Sequence, residues 1–207
     1  MNLIDDGPSV RAQKLLFDYE VGGGETYYNK FLKKFTWPGG ASGPTIAIGI
    51  DCAYYNSNEL EDMFYFLSEN ELELVKRCPG LTGSRGEQYT RTLRKANIEV
   101  AWDKAVELFK NTTWPKFAKL AEKTFPGLNE FHPDAYGSVV SLVFNRGTSL
   151  SGPSRIEMAN IKKLVPSKDY KAIAKNIRSM CRLWQGKGLD GLLQRREAEA
   201  KLIESVL

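Results

Sequence analysis

The chain is poor in the residues that metal and thiol chemistry require. Among its 207 residues it has one histidine, His132, and three cysteines, Cys52, Cys78 and Cys181. The cysteines are odd in number, widely spaced and form no CxxC pair, which argues against a disulfide framework or a zinc site. Buried, reduced thiols are the expected state. A single imidazole builds no metal cluster, and no Ser/His/Asp or Cys/His grouping surrounds it. His132, just before Pro133 at an expected helix start, therefore reads as structural. No metal and no cofactor is expected. No apolar run approaches the roughly 20 residues that span a bilayer, so no membrane insertion is expected. The opening residues Met1-Asn2-Leu3-Ile4-Asp5-Asp6 have neither a basic patch nor a long apolar stretch, so they do not read as a secretory signal. Action outside the cytoplasm would then need another route of export. Internal repeats and low-complexity tracts are also missing.

What is present is ordinary for a globular protein with a real core: 42% hydrophobic and 26% charged residues. The length allows one domain, or one domain with two lobes. Net charge is +4 but uneven. Residues 150–207 hold 12 Lys and Arg against 6 Asp and Glu, while residues 1–149 hold 17 against 19. The excess is either a solvated helix surface or a face that attracts an anionic polymer, such as cell-wall glycan or nucleic acid.

The informative stretch runs from Glu20 to Asp51. Pro8-Ser9 looks like a helix entry with Ser9 as N-cap. Val10, Ala12, Leu16 and Tyr19 follow at helical spacing, and Gly22-Gly23-Gly24 stop the helix. Glu20 thus falls at a helix C-terminus, where carbonyl ends disfavour a carboxylate and favour the protonated form that a general acid needs. Read alone, it is also an ordinary exposed glutamate. Residues 25–38 are aromatic and basic and fit a strand or a short helix. Pro38-Gly39-Gly40 and Ser42-Gly43-Pro44 mark turns. The β-branched run Thr45 to Ile50 favours a strand, with Gly49 suggesting a close backbone approach, and it closes on Asp51. Asp51 is either a second site carboxylate or a strand-end residue capping a turn. Two acids gathered around a hairpin, with a hydroxyl beside one, are what glycoside hydrolysis asks for.

From about Ser57 onward the pattern is helical. Leu60, Phe64 and Leu67 share a face, and Ser68 to Glu71 is a capping box for a helix reaching about Lys76. Residues 79–88 read as a loop, and Asn97 as the cap of a helix carrying Ile98, Ala101, Ala105 and Leu108. Pro133-Asp134 opens an apolar helix that Gly147 terminates, read as the central buried helix. Further helices are expected over about 154–164, from about Lys168, and from about Leu189. The fold class is α+β and predominantly helical. It is a single domain over 1–207, with a small β-hairpin lobe at about 20–56 and a larger helical lobe from 1–19 and 57–207.

The run Ala135-Tyr-Gly-Ser-Val-Val-Ser-Leu-Val-Phe-Asn-Arg146, followed by Gly147, resembles the central-helix signature of phage-type, T4-like lysozymes. The tail from Trp184 through Gly191-Leu192 and Arg195-Arg196 to Glu199 is similar to that family's closing segment. With Glu20 and the Thr45 strand, the resemblance covers about residues 10–52 and 133–203. In the familiar enzymes an Asp lies a few residues before the Thr, but here no Asp stands between Glu20 and Asp51. Asp51, six positions after Thr45, is instead similar to the pesticin-type branch, whose strand reads Thr-Ile-x-x-Gly-x-Asp. Ala47 departs from the glycine often seen there.

The resemblance implies a lysozyme-like fold and a muramidase that cuts the β-1,4 bond between N-acetylmuramic acid and N-acetylglucosamine in bacterial peptidoglycan. Glu20, Asp51 and Thr45 are carried over as the catalytic constellation. Glu20 would protonate the leaving oxygen, and Asp51 would act on the opposite side of the sugar. The Thr45 hydroxyl would hold the water or the carboxylate. A carboxyl separation of roughly 6.5–9.5 Å gives inversion and one of roughly 5–5.5 Å retention; the resemblance favours inversion. Asn145 is a candidate for hydrogen bonding an N-acetyl group, or else a helix C-cap. Arg146 and Arg195 are candidates to pair with Glu20 or with glycan carboxylates. Tyr27, Tyr28 and Trp37 either stack on sugar or pack the small lobe. Trp184 reads as core, and Arg196 with Glu199 as a structural pair. The expected role is a phage lysin or an antibacterial effector, monomeric and made in the cytoplasm. It would be delivered to the periplasm or wall by holin or secretion machinery, with an immunity protein as a possible partner. The alternative is a non-catalytic lysozyme-like protein that only binds glycan. A nucleic-acid partner is not expected, because no helix-turn-helix, RRM or zinc pattern accompanies the basic C-terminal quarter.

Overall fold

A computed structural model describes residues 9–22 and 24–207. Pro8, expected at the first helix entry, and Gly23, expected to help stop that helix, lie outside the described residues. In chain order the elements are α1 (Val10–Glu20), α2 (Gly24–Phe31), β1 (Thr45–Ile46), β2 (Ile50–Asp51), α3 (Ser57–Met63), α4 (Glu69–Val75) and α5 (Gly83–Lys95). There follow α6 (Trp102–Leu108), α7 (Trp114–Thr124), α8 (Pro133–Arg146), α9 (Ile156–Leu164), α10 (Tyr170–Ser179) and α11 (Asp190–Glu204). The protein is mostly helical, with a small antiparallel sheet of β1 and β2, as the pattern predicts. It divides into two compact units. One takes the described part of Met1–Tyr19 with Trp114–Leu207, and the other is Glu20–Thr113.

The first unit is built around α8. Pro133 stands in its first turn, where a missing N–H costs nothing, and His132 caps it by accepting the Asp134 N–H on Nδ1 at 3.2 Å. Gly147, at φ 70°, ends it. Every residue from Asp134 to Val143 is buried, so this helix is surrounded by the unit. Gly137 makes one of those contacts possible: a Cβ there would lie 2.3 Å from the Ala12 Cβ and 3.2 Å from the Trp114 ring. α1 starts on Ser9, whose Oγ accepts the Ala12 N–H at 2.9 Å, as an N-cap does. α10 offers Ile173, Ala174 and Ile177 to the same core. Each fully buried Val or Leu is worth roughly 1.5–3 kcal/mol. An exposed ion pair is worth at most about 1 kcal/mol. The apolar α8 therefore outweighs surface pairs such as Lys14–Asp18 in holding this unit together.

The second unit resolves the sequence pattern in one place and differs from it in three. Residues 25–38, which fit strand or helix, form α2 up to Phe31 and then extended chain that bridges Lys34 to Glu99 and Thr36 to Thr45. The run Thr45 to Ile50 is not one strand. It folds on itself as a hairpin, with Thr45 opposite Asp51 and Ile46 opposite Ile50. Ala47 at φ 55° and Gly49 at φ 74° make the turn, so Gly49 serves the turn rather than a close approach. β-Branched composition reports extended backbone but does not show where the chain reverses. Residues 83–88, expected within a loop, already belong to α5, since three nearby glycines do not prevent a helix that packing rewards. Asn97 does not open α6, whose N-cap is Ala101; at φ 56° it closes α5. Asparagine tolerates the left-handed region, which suits a helix end as well as a start. The capping function expected of Ser68 and Glu71 is present: the Ser68 N–H donates to the Glu71 carboxylate at 3.0 Å.

The thiols Cys52, Cys78 and Cys181 are free, the first two buried and the third half-buried. Among the described residues no group of His, Cys, Asp and Glu is placed to hold a metal ion, and no helix is long and apolar enough to cross a membrane.

Candidate active site

Glu20 is the last residue of α1, half-buried and followed by the buried Val21. The Gly24 N–H donates to the Val21 carbonyl at 2.6 Å, which turns the chain into α2 directly after the carboxylate. Gly24, at φ 60°, adopts the backbone this turn needs.

The hairpin decides the geometry of Thr45 and Asp51. In a single strand, six residues would separate them by about 20 Å. As opposed residues of an antiparallel pair, their Cα atoms come within about 4.5–5.5 Å. Both are half-buried. Both are also tied to one residue, Gly43. The Thr45 hydroxyl donates to the Gly43 carbonyl at 3.1 Å, and the Gly43 N–H donates to Asp51 Oδ2 at 2.9 Å. Asp51 Oδ1 accepts the Ala53 N–H at 3.1 Å and so caps the short turn Cys52–Tyr54. Each carboxylate oxygen is thus fixed by a backbone amide, and an ionised carboxylate keeps further lone pairs for a water molecule. Capping and chemistry, posed as alternatives for Asp51, are compatible in this arrangement.

Gly43 ties Thr45 to Asp51, a role that composition does not single out beyond marking a turn. A Cβ there would meet the Ala53 Cβ at 2.3 Å, the Leu81 carbonyl at 2.7 Å and Asp51 Oδ1 at 2.8 Å. Only glycine lets the amide approach the carboxylate.

Tyr27 lies exposed on α2, its ring 4.9 Å from that of Phe31, which is also exposed. Tyr28 and Trp37 turn out differently. Tyr28 is fully buried, with its hydroxyl donating to the Val100 carbonyl at 2.8 Å, and burial raises its pKa. Trp37 donates its indole N–H to the Ser42 carbonyl at 2.9 Å. Tyr28 therefore packs the unit and offers no face to a ligand.

The other candidates lie in the unit built on α8. Asn145 is exposed and is not the helix cap, a place taken by Gly147. Its Oδ1 accepts from Arg196 Nη1 at 3.2 Å. Arg195 is 3% exposed, bonded to Glu199 at 3.3 Å and to the Ser141 hydroxyl at 3.1 Å. Arg196 and Glu199 form the expected i,i+3 pair, with nitrogen to oxygen at 2.8 Å, and both are fully buried. Trp184, read as core, is half-buried, with the Arg146 guanidinium 4.9 Å and the Arg196 guanidinium 5.9 Å from its ring. Arg146 is half-buried and donates through Nη2 to the Ser154 carbonyl at 2.6 Å. Burial first, then the neighbouring Arg155 charge, push its pKa down to about 10.

A mostly helical fold whose small hairpin sets a carboxylate opposite a hydroxyl fits the architecture of a glycoside hydrolase. Residues 77–199 match the family described as Phage lysozyme, and the chain belongs to that family. It is accordingly a muramidase, with peptidoglycan as the family's substrate. The matched span includes α8 and ends on Glu199, while Glu20, Thr45 and Asp51 precede it. No curated protein matches the chain.

Proposed function

We propose that this chain hydrolyses the β-1,4 bond between N-acetylmuramic acid and N-acetylglucosamine with Glu20 as general acid and Asp51 as general base. The observation that supports this reading best is the pairing of Thr45 with Asp51 across the hairpin, with Gly43 fixing both. The scissile bond belongs to an acetal, so its exocyclic oxygen must gain a proton as it leaves; Glu20 supplies it. Asp51 takes a proton from water as the water oxygen bonds to the anomeric carbon on the opposite face. The Thr45 hydroxyl steadies that water or the carboxylate. The product then has inverted configuration. Tyr27 stacks on sugar, Asn145 bonds an N-acetyl group and Arg146 meets substrate charge. Arg195, sealed from solvent, acts through its neighbours rather than by touching glycan.

The strand spacing Thr45-Ile-x-x-Gly-x-Asp51 supports placement in the pesticin-type branch. We assign the protein a bacteriolytic role as a phage lysin or an antibacterial effector. It would be made in the cytoplasm, delivered by holin or secretion machinery, and act as a monomer at the wall or in the periplasm. An effector would be matched by an immunity protein in the producing cell, which affinity capture from that cell would identify.

The test is loss of turbidity of purified cell wall, followed by mass analysis of the muropeptides. Reducing-end muramic acid is the expected product. Anhydro-muramic ends would assign a transglycosylase, and cosedimentation without clearing would leave only binding. Proton NMR of the first-formed anomer decides between inversion and retention.

A further inference from the structure

Two of the three cysteines meet inside the second unit. Cys52 opens the short turn Cys52–Tyr54 directly after Asp51, and Cys78 follows α4; both are fully buried. The backbones beside them are already joined. The Gly80 N–H donates to the Ala53 carbonyl at 2.9 Å, so the residue after Cys52 is bonded to the second residue after Cys78. The Cys52 N–H donates to the Pro44 carbonyl at 2.9 Å, and the Leu81 N–H to the Cys78 carbonyl at 2.9 Å. Gly43 is wedged between Ala53 and the Leu81 carbonyl, so both cysteines sit in the frame that also holds Asp51. Within that frame the two thiols interact directly through a hydrogen bond. Burial first, and then Cys78, hold the Cys52 thiol well above its ordinary pKa. Cys181 belongs to the other unit, half-buried, with its Sγ 4.0 Å from the Leu193 carbonyl.

The acid and base chemistry uses none of these thiols. A disulfide forms between cysteines whose side chains already meet, and Cys52 and Cys78 are such a pair. The loop it would close, from residue 52 to residue 78, contains α3 and α4. Closing a loop of that length removes freedom from the unfolded chain and so stabilises the folded one. Thiols stay reduced in a reducing cytosol and pair in an oxidising compartment.

We propose that Cys52 and Cys78 are a disulfide site that closes when the chain folds under oxidising conditions, fastening the Asp51 turn to the loop at Gly80. The oxidant is a small-molecule or protein disulfide. One thiolate of this chain attacks it, forming a mixed disulfide and releasing one half of the oxidant. The second thiolate then attacks the sulfur on this chain and releases the other half. Two electrons pass to the oxidant, and the two thiol protons leave on its halves. Because both thiols are sealed in the folded chain, the exchange runs before folding is complete or when the turn opens. The inference does not rest on the muramidase reading.

The test refolds the full chain from urea and reductant in two buffers, one with reduced glutathione alone and one with reduced and oxidised glutathione. Free thiols are then alkylated in denaturant and the peptides mapped by mass spectrometry. Oxidative refolding should give a Cys52–Cys78 linked peptide pair with Cys181 alkylated, and the reduced buffer three alkylated cysteines. The oxidised protein should melt at least about 3 °C above the reduced one. Cys78→Ala should melt alike in both buffers, and Cys181→Ala should keep the difference. The mapping of wild type decides even where a variant does not fold. Three alkylated cysteines after oxidative refolding, glutathione adducts in place of the link, or a link to Cys181 overturns the proposal. So does a Cys52–Cys78 link that leaves the melting temperature unchanged.

Discussion

At the scale of single residues the site depends on backbone amides as much as on acids. Gly43 bonds to Thr45 and Asp51 at once, so Gly43→Ala should disturb both. The added Cβ cannot coexist with the Leu81 carbonyl and Asp51 Oδ1, so the loop must move. We expect wall-clearing activity to fall at least about a hundredfold and stability to fall by about 1–3 kcal/mol, read from turbidity and urea unfolding. Glu20→Gln is the cleaner test of chemistry. It removes the proton but keeps the shape, and a general acid contributes about 10²–10⁴-fold, so kcat should drop within that range while the melting temperature holds. An unchanged kcat would remove Glu20 from the mechanism. Asp51→Asn differs, because its NH₂ group would face the N–H of Gly43 or of Ala53. It should cost both activity and stability, the latter by about 1–3 kcal/mol. Glu20 and Thr45 were legible in the sequence as residue types at a helix end and a strand start. The role of Gly43 was not, because a glycine before a proline signals a turn whether or not an amide must reach a carboxylate.

At the scale of elements, helix ends were the part most open to error. The limits of α8 followed from Pro133 and Gly147, since the two mark opposite ends of a helix for opposite reasons. Asn97 is ambiguous by nature, and the structure assigns it to the end of α5 in the left-handed region. Asn97→Ala should therefore destabilise by about 1 kcal/mol, while Asn97→Gly should be nearly neutral, as chemical denaturation would show. A hairpin was expected in this lobe, but its reversal within Thr45–Asp51 was beyond the sequence. Its turn uses Ala47 at positive φ, a conformation that no propensity assigns to alanine. Packing of Ile46, Ala47, Ile48 and Ile50, all buried, stabilises it.

At the scale of the molecule, charge and burial act in different places. The excess of Lys and Arg in residues 150–207 should draw the chain to an anionic wall. Cosedimentation with peptidoglycan should then weaken several-fold between 50 and 300 mM salt; binding that ignores salt would count against that role for the charge. Inside the α8 unit, Glu199 stands fully buried between Arg195 and Arg196 and accepts the Ser141 hydroxyl at 2.7 Å. Removing one member strands buried charge, so Glu199→Ala should cost about 3–5 kcal/mol in thermal or chemical unfolding.

Sequence alone determined the helical character of the protein and the central helix with its two ends. These follow from periodicity and local stereochemistry, which act over a few neighbouring residues. Tertiary structure decided that Thr45 and Asp51 face each other, that Gly43 holds both, and that Tyr28 is core while Tyr27 is surface. Those outcomes depend on chain reversal and on which distant side chains share a buried space, and no local preference encodes either.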